Sequence, residues 1–128
     1  MDIAYLDPPY NQHPYGSNYF MLNVIVDYKK PENISKISGI PEDWNRSNYN
    51  NAANAYAALT ALVTNIKAKY VLISFNSEGF ISRSEMTDML HKIGRVEVLE
   101  TSYPAFRGSR NLNNRDIQVK EYLYLVEK

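Results

Sequence analysis

Two adjacent prolines, Pro8 and Pro9, directly follow Asp7 and the apolar run Ile3-Ala4-Tyr5-Leu6, and no other feature of the sequence restricts the fold as strongly. Each proline fixes φ at about −65° and removes a backbone donor, so a strand cannot be continued through the pair. The run before them is short and wholly apolar, the pattern of a strand buried within a sheet. That strand must end at Asp7, leaving a carboxylate, a doubly stiffened turn and the ring of Tyr10 at its carboxyl end. With no adjacent N–H able to extend a sheet, the carbonyls of Asp7 and Pro8 are rigid acceptors. An ionised carboxylate accepts only, and Tyr10 offers a flat face with a polar edge. Such a group suits a planar amine, with two acceptors for its protons and a ring to stack on. The plain alternative is a turn that closes a strand and carries no chemistry.

The rest of the chain alternates helix and strand signals. Asn11 to Gly16 reads as a loop, and Ser17 or Asn18 is placed to cap a helix running to about Tyr28. Its apolar face is Met21, Leu22, Ile25 and Tyr28; Lys29 and Lys30 fall in its last turn and Pro31 ends it. Glu32 to Asn51 is a long loop with Trp44 as its large apolar anchor. Within it, Trp44 to Asn50 combines aromatics, amides and the cation Arg46, a composition suited to touching nucleic acid or closing over a substrate. Ala52 to Lys67 is the clearest helix, with Leu59, Leu62, Val63 and Ile66 at helical spacing. It leads into Tyr70 to Phe75, a continuous apolar run expected to be a strand covered on both faces. A helix between two such strands implies a parallel crossover, which brings Asp7 and Asn76 to the same carboxyl-end rim, where ligands sit in open parallel sheets. Ser82 and Glu85 form a capping box for a helix carrying Met86, Met89, Leu90 and Ile93 and closing at Gly94. Arg95 to Tyr103 and Gln118 to Glu127 alternate as strands, joined by a connection from Pro104 to Arg115 that holds Arg107, Arg110 and Arg115. The fold class is α/β, with about four strands, the last antiparallel, and helices on both faces.

Composition narrows the classes. A chain of 128 residues with 45% hydrophobic and 22% charged residues is globular and of single-domain size. Its formal net charge is zero, so any attraction to nucleic acid must be local. The absence of cysteine excludes disulfides and thiolate metal sites and fits a reducing cytoplasm. No apolar run approaches the length of a membrane span, and the amino terminus lacks a signal-peptide pattern.

The segments DPPYNQHPYGSNYFMLN, ISFNSEG and the aromatic-plus-arginine stretch before EYLYLVEK resemble, in that order, the carboxyl-terminal half of adenine-specific DNA methyltransferases of the Dam-like group. The resemblance implies part of a Rossmann-like methyltransferase sheet. It also implies methyl transfer from S-adenosylmethionine to the exocyclic amine of an adenine flipped out of double-stranded DNA, as in restriction-modification systems. Such an amine is a poor nucleophile because its lone pair is conjugated with the ring. Acceptors that draw its protons out of plane favour the attacking geometry. On this reading Asp7, Pro8, Pro9 and Tyr10 are catalytic, with Tyr10 stacking on the base. Tyr103 or Phe106 packs on the other side of the base, Asn76 lies beside it, and Arg46, Arg107, Arg110 and Arg115 meet backbone phosphates. Asp7 also touches the cofactor.

One departure stands out. The glycine-rich cofactor loop expected of the family is missing, since Gly16, Gly39, Gly79, Gly94 and Gly108 are all well separated. The chain therefore looks like a catalytic half whose cofactor half precedes it or belongs to a separate chain, with a sheet edge left bare for self-association. A nucleic-acid-binding remnant without catalysis is the alternative. The arginine stretch gives a direct test. Replacing Arg107, Arg110 and Arg115 together should weaken DNA binding irrespective of sequence and flatten its salt dependence by about one unit of slope for each phosphate no longer neutralised. Affinity and slope unchanged in a salt titration would make these arginines ordinary surface.

Overall fold

In a computed structural model the described residues are 1–37, 39–41, 46–104 and 118–128. They form a four-stranded mixed sheet with helices. The strands are β1 (Ile3–Leu6), β2 (Tyr70–Asn76), β3 (Arg95–Pro104) and β4 (Gln118–Glu127), in the spatial order β1-β2-β4-β3. β1 and β2 are parallel, whereas β4 is antiparallel to both β2 and β3. The last strand is thus inserted antiparallel between two others, as expected for a partial methyltransferase sheet. The register fixes which residues share a face: Ala4, Val71, Val126 and Val96 form one row, and Leu6, Ile73, Tyr124 and Val98 the next.

Two helices cover that face. α3 (Ala52–Asn65) buries Ala55, Leu59 and Val63, and α4 (Arg83–His91) buries Met86, Met89 and Leu90, all but Ala55 in one cluster with Val71, Ile73, Phe75, Tyr122, Tyr124 and Val126. The helices also touch each other, Thr60 Oγ1 lying 2.8 Å from Met89 Sδ. Local chemistry sets their ends. Asn51 accepts from the Ala53 N–H at the start of α3, and the Ser82/Glu85 capping box opens α4 as its sequence requires. At the far end of α3, Lys128 Nζ donates to the carbonyls of Val63, Thr64 and Ile66, placing a cation at the negative end of the helix.

The expectation of helices on both faces requires correction. Those that enter the core lie on the same face, and β2 is buried there alone, with Tyr70, Leu72 and Ser74 only half-buried on the other side. Tyr5 is 61% exposed and Leu99 66% exposed on that second face. The unbroken apolarity of β2 therefore reflects a surface that no described helix seals.

The region after the prolines also departs from the sequence reading. In place of one helix from Ser17 to Tyr28 there are two, α1 (Tyr15–Asn18) and α2 (Phe20–Asp27), separated at Tyr19. Ser17 donates its hydroxyl to the Pro14 carbonyl and does not cap α2. Tyr28 adopts a left-handed backbone with φ 52°, so the helix stops before Lys29 and Lys30 reach it. α2 buries none of its residues. The following loop contains a short 3₁₀ turn, η1 (Asn48–Asn50), in addition to irregular backbone. Trp44 lies outside the described residues. No described helix is long and apolar enough to cross a membrane.

Two expectations follow. With β1 at the sheet edge and one apolar face uncovered, the isolated chain should self-associate at micromolar concentration in sedimentation velocity; a clean monomer would contradict this. The second concerns Tyr124, which is fully buried and whose hydroxyl has no hydrogen-bond partner among the described residues. Burial, assisted by Tyr122, pushes this phenol up from 10.0 to about 12. A raised value favours the protonated folded state, so its contribution is complete below pH 10 and lost as pH climbs from 10 to 12. At about 1.4 kcal/mol per unit, that loss is on the order of 2–3 kcal/mol. Denaturant titrations should show Tyr124→Phe at least as stable as the native chain at pH 7 and less sensitive across pH 10–12.

Candidate functional site

Parallel pairing of β1 with β2 ends at Leu6 opposite Ile73, so the two strands open onto one rim. Asp7 stands there exposed, Pro8 is buried, and Pro9 and Tyr10 are half-buried. Two contacts hold the Tyr10 segment in place. Its carbonyl accepts from the Phe80 N–H at 2.9 Å, and its ring packs edge-on against Phe75 at 6.3 Å between centroids. Because Phe75 comes from β2 and Phe80 from the turn after it, the segment following β1 is docked onto the exit of β2. The loop ahead of α3 is tied in as well, Asn50 Nδ2 donating to the Asn11 carbonyl at 3.0 Å.

Asn76, the last residue of β2, is 4% exposed and fully engaged. Its Oδ1 accepts from the Glu78 N–H at 2.8 Å, and its Nδ2 donates to the Tyr103 hydroxyl at 3.1 Å and to Glu121 Oε1 at 3.2 Å. The amide is thus a bracket across the rim, with its donors and acceptor already committed. Tyr103, from β3, is 39% exposed, and its hydroxyl donates to Glu121 Oε1 at 3.1 Å. Asp7, Tyr10, Asn76 and Tyr103 are therefore brought to one rim.

Other sequence-derived candidates sit elsewhere. Arg46 lines a polar hollow of about 520 Å³ together with Gln12, Ser47, Asn48, Asn50, Asn54 and Phe80, next to the turn. His13 is in the exposed loop, with its N–H donating to Asn11 Oδ1. Phe106, Arg107, Arg110 and Arg115 lie outside the described residues.

The rim is acidic. The Tyr10 phenol is raised above 10.0, first by burial and then by the negative charges of Glu121 and Glu78, with Tyr15 and Asp7 adding to them. Tyr103 is raised too, by burial and then by its bond to Glu121. Such a field attracts an amine or a cationic centre and repels phosphate. Glu78 lies within the ISFNSEG segment but had no role of its own in the sequence reading, and Glu121 escaped it. Glu121 is one of four polar residues in β4, with Gln118, Lys120 and Glu127, and only the antiparallel register opposite Asn76 shows that it faces the site.

Comparison with known proteins bears on these residues. A family model for the D12 class N6 adenine-specific DNA methyltransferase matches residues 1–89. The chain is similar to the type II methyltransferase M.NlaIII of Neisseria lactamica, at 33% identity over 99% of this chain and 38% of that protein. It is likewise 33% identical to the type II methyltransferase M.CviAII of Paramecium bursaria Chlorella virus 1, over 98% of this chain and 37% of that protein. With the modification methylase StsI of Streptococcus sanguinis it shares 30% identity, covering 99% of this chain and 20% of the relative. The chain thus spans less than two-fifths of the length of these relatives. No solved structure matches it significantly.

The turn after β2 is where this geometry can be broken most simply. A methyl group at Gly79 would collide with the Phe75 ring and come within 3.1 Å of the Asn76 carbonyl. Phe75 is buried at 4% exposure and supports Tyr10, so it has little room to give way. Gly79→Ala should lower stability by about 1–3 kcal/mol in denaturant titration and alter the Tyr10 ring signals in NMR spectra, because overpacking displaces the side chain on which Tyr10 rests. Unchanged stability and spectra would show that the ring relocates freely.

Proposed function

The chain belongs to the D12 class of N6 adenine-specific DNA methyltransferases, and from that premise we propose that these residues form the base-binding, catalytic half of such an enzyme. The proposed reaction is methyl transfer to the exocyclic amine of an adenine flipped from double-stranded DNA. The observation that carries it is the shared rim: parallel pairing of β1 and β2 sets Asp7 and Tyr10 beside Asn76 and Tyr103 in an acidic setting. The Asp7 carboxylate and the Pro8 carbonyl accept hydrogen bonds from the two amine N–H groups and direct the nitrogen lone pair out of the base plane; once the methyl group has been transferred, one of those protons leaves the positively charged nitrogen. That pyramidal geometry is the one needed in the transition state and not in the ground state. Tyr10 offers its ring to the base. Tyr103 walls the other side, with Phe106 as the sequence-derived alternative outside the described residues. The acidic field favours positive charge appearing on the amine during transfer. Arg46, with Arg107, Arg110 and Arg115, would supply phosphate contacts away from the rim.

S-adenosylmethionine, the proposed methyl donor, supplies an activated methyl group when bound. None of the described glycines Gly39, Gly79 and Gly94 stands in a glycine-rich turn. Gly79 is filled against Phe75, Gly94 against the Glu127 carbonyl, and Gly39 stands alone in a loop with φ 68°. Of the residues here, only Asp7 is assigned a cofactor contact. Another segment, in the same polypeptide or a separate chain, is therefore proposed to bring the cofactor-binding half. The edge of β1 and the apolar face, unpaired and uncovered among the described residues, together with the share of the relatives left unspanned, support this reading.

The test is kinetic, on the chain reconstituted with a cofactor half. Asp7→Ala should reduce methyl transfer by about a hundredfold or more while DNA affinity stays nearly constant, because the carboxylate acts on the transition state and touches no phosphate. Equal losses of rate and affinity would sink the assignment. Tyr10→Phe should be mild, and Tyr10→Ala should cost roughly 1–3 kcal/mol of base stacking.

A further inference from the structure

Glu121 belongs to none of the motifs that carry the family likeness, yet it is the acceptor on which the rim closes. The insertion of β4 sets it opposite Asn76 on β2 and opposite Thr101 on β3. Its Oε1 takes a hydrogen bond from the Tyr103 hydroxyl at 3.1 Å and another from Asn76 Nδ2 at 3.2 Å, and the same amide donates to the Tyr103 hydroxyl at 3.1 Å. The three groups thus form a closed ring of hydrogen bonds spanning three strands. The amide orientation is fixed by the Glu78 N–H donating to Oδ1, so both of its protons are committed. Tyr103 is held at its hydroxyl while the residue stays 39% exposed.

We infer that Glu121 is a positioning residue of the base site. It tethers the Tyr103 hydroxyl so that the ring stands as a preformed stacking wall on the rim it shares with Tyr10. A tyrosine held by its hydroxyl has lost its rotamer freedom before any ligand arrives, so its ordering does not weaken binding. A carboxylate suits the task because one ionised oxygen accepts two donors at once. The inference rests on the adenine-binding function proposed above.

Two readouts on the full chain separate the tether from that function. The first needs no ligand: NMR spectra of selectively labelled tyrosine rings. Glu121→Ala should shift and narrow the Tyr103 signals while leaving Tyr122 and Tyr124 unchanged, and Glu121→Gln, which keeps an oxygen acceptor, should resemble the native chain. The second is quenching of a short single-stranded oligonucleotide bearing one 2-aminopurine among thymines. Glu121→Ala and Tyr103→Phe should each weaken it about fivefold to tenfold, a fraction of a base–aromatic stack, and the double variant should be no worse than either alone. Tyr103 signals indifferent to Glu121→Ala, or losses that add in the double variant, overturn the inference. A native chain that leaves the probe unquenched overturns the adenine reading itself. That outcome is told apart from failure of the tether by the ring signals, which still respond to Glu121→Ala.

Discussion

Everything functional in this chain depends on the parallel pairing of four residues of β1 with β2. Four ladder positions, Ile3–Tyr70 to Leu6–Ile73, decide where Asp7 stands relative to Asn76. In a parallel pair both carboxyl ends emerge on the same side, so the proline turn after β1 and the amide at the end of β2 are neighbours by topology. An antiparallel pairing would place them at opposite ends of the sheet. The crossover through α3 enforces the parallel choice, and its buried Leu59 and Val63 anchor that helix to the core face. A shift of one residue in register would turn Ala4 and Leu6 away from the core and expose them. The same packing that stabilises the sheet therefore sets the site geometry.

The inserted strand β4 plays a second part. It joins β3 to β2, which lets Tyr103 reach the rim, and it contributes Glu121 as the acceptor that fixes Asn76 and Tyr103. Negative charge then gathers at the rim around Tyr10, while the chain as a whole has zero formal charge. Roles are divided accordingly. Under the proposed function, carboxylates and rings face the base, and the loop arginines are the proposed phosphate contacts. The second face of the sheet carries the apolar side chains Tyr5, Leu72, Leu99, Leu123 and Leu125 in registered rows, with no described helix upon them. The chain spans less than two-fifths of the length of its relatives, and under the reading proposed above that face and the β1 edge would receive the cofactor-binding segment.

Much of this was legible in the sequence because local chemistry spoke clearly. The proline pair fixed the end of β1, the Ser82/Glu85 box fixed the start of α4, and the helix between two apolar runs fixed the parallel pairing. The misreadings have physical causes. The run Tyr70 to Phe75 is apolar on both sides, and periodicity cannot distinguish a face covered by a helix from one left for a partner. Tyr28 ends α2 with a left-handed backbone, a conformation uncommon for a tyrosine and without a signal of its own. Ser17 was a plausible cap, but its hydroxyl found the nearer Pro14 carbonyl. Glu121 was invisible because its role depends on long-range antiparallel register, which no local pattern encodes.

The central claim is that the joint carboxyl rim of β1 and β2 receives an adenine. It is tested most directly by an amide NMR footprint, in which the isotope-labelled chain is titrated with a short single strand containing adenine and, separately, with one of thymine alone. The account predicts that the adenine strand selectively shifts the amides of Tyr10, Asn11, Ser77, Glu78 and Tyr103. Shifts confined to α2 or α4, or the same shifts from both strands, would contradict it.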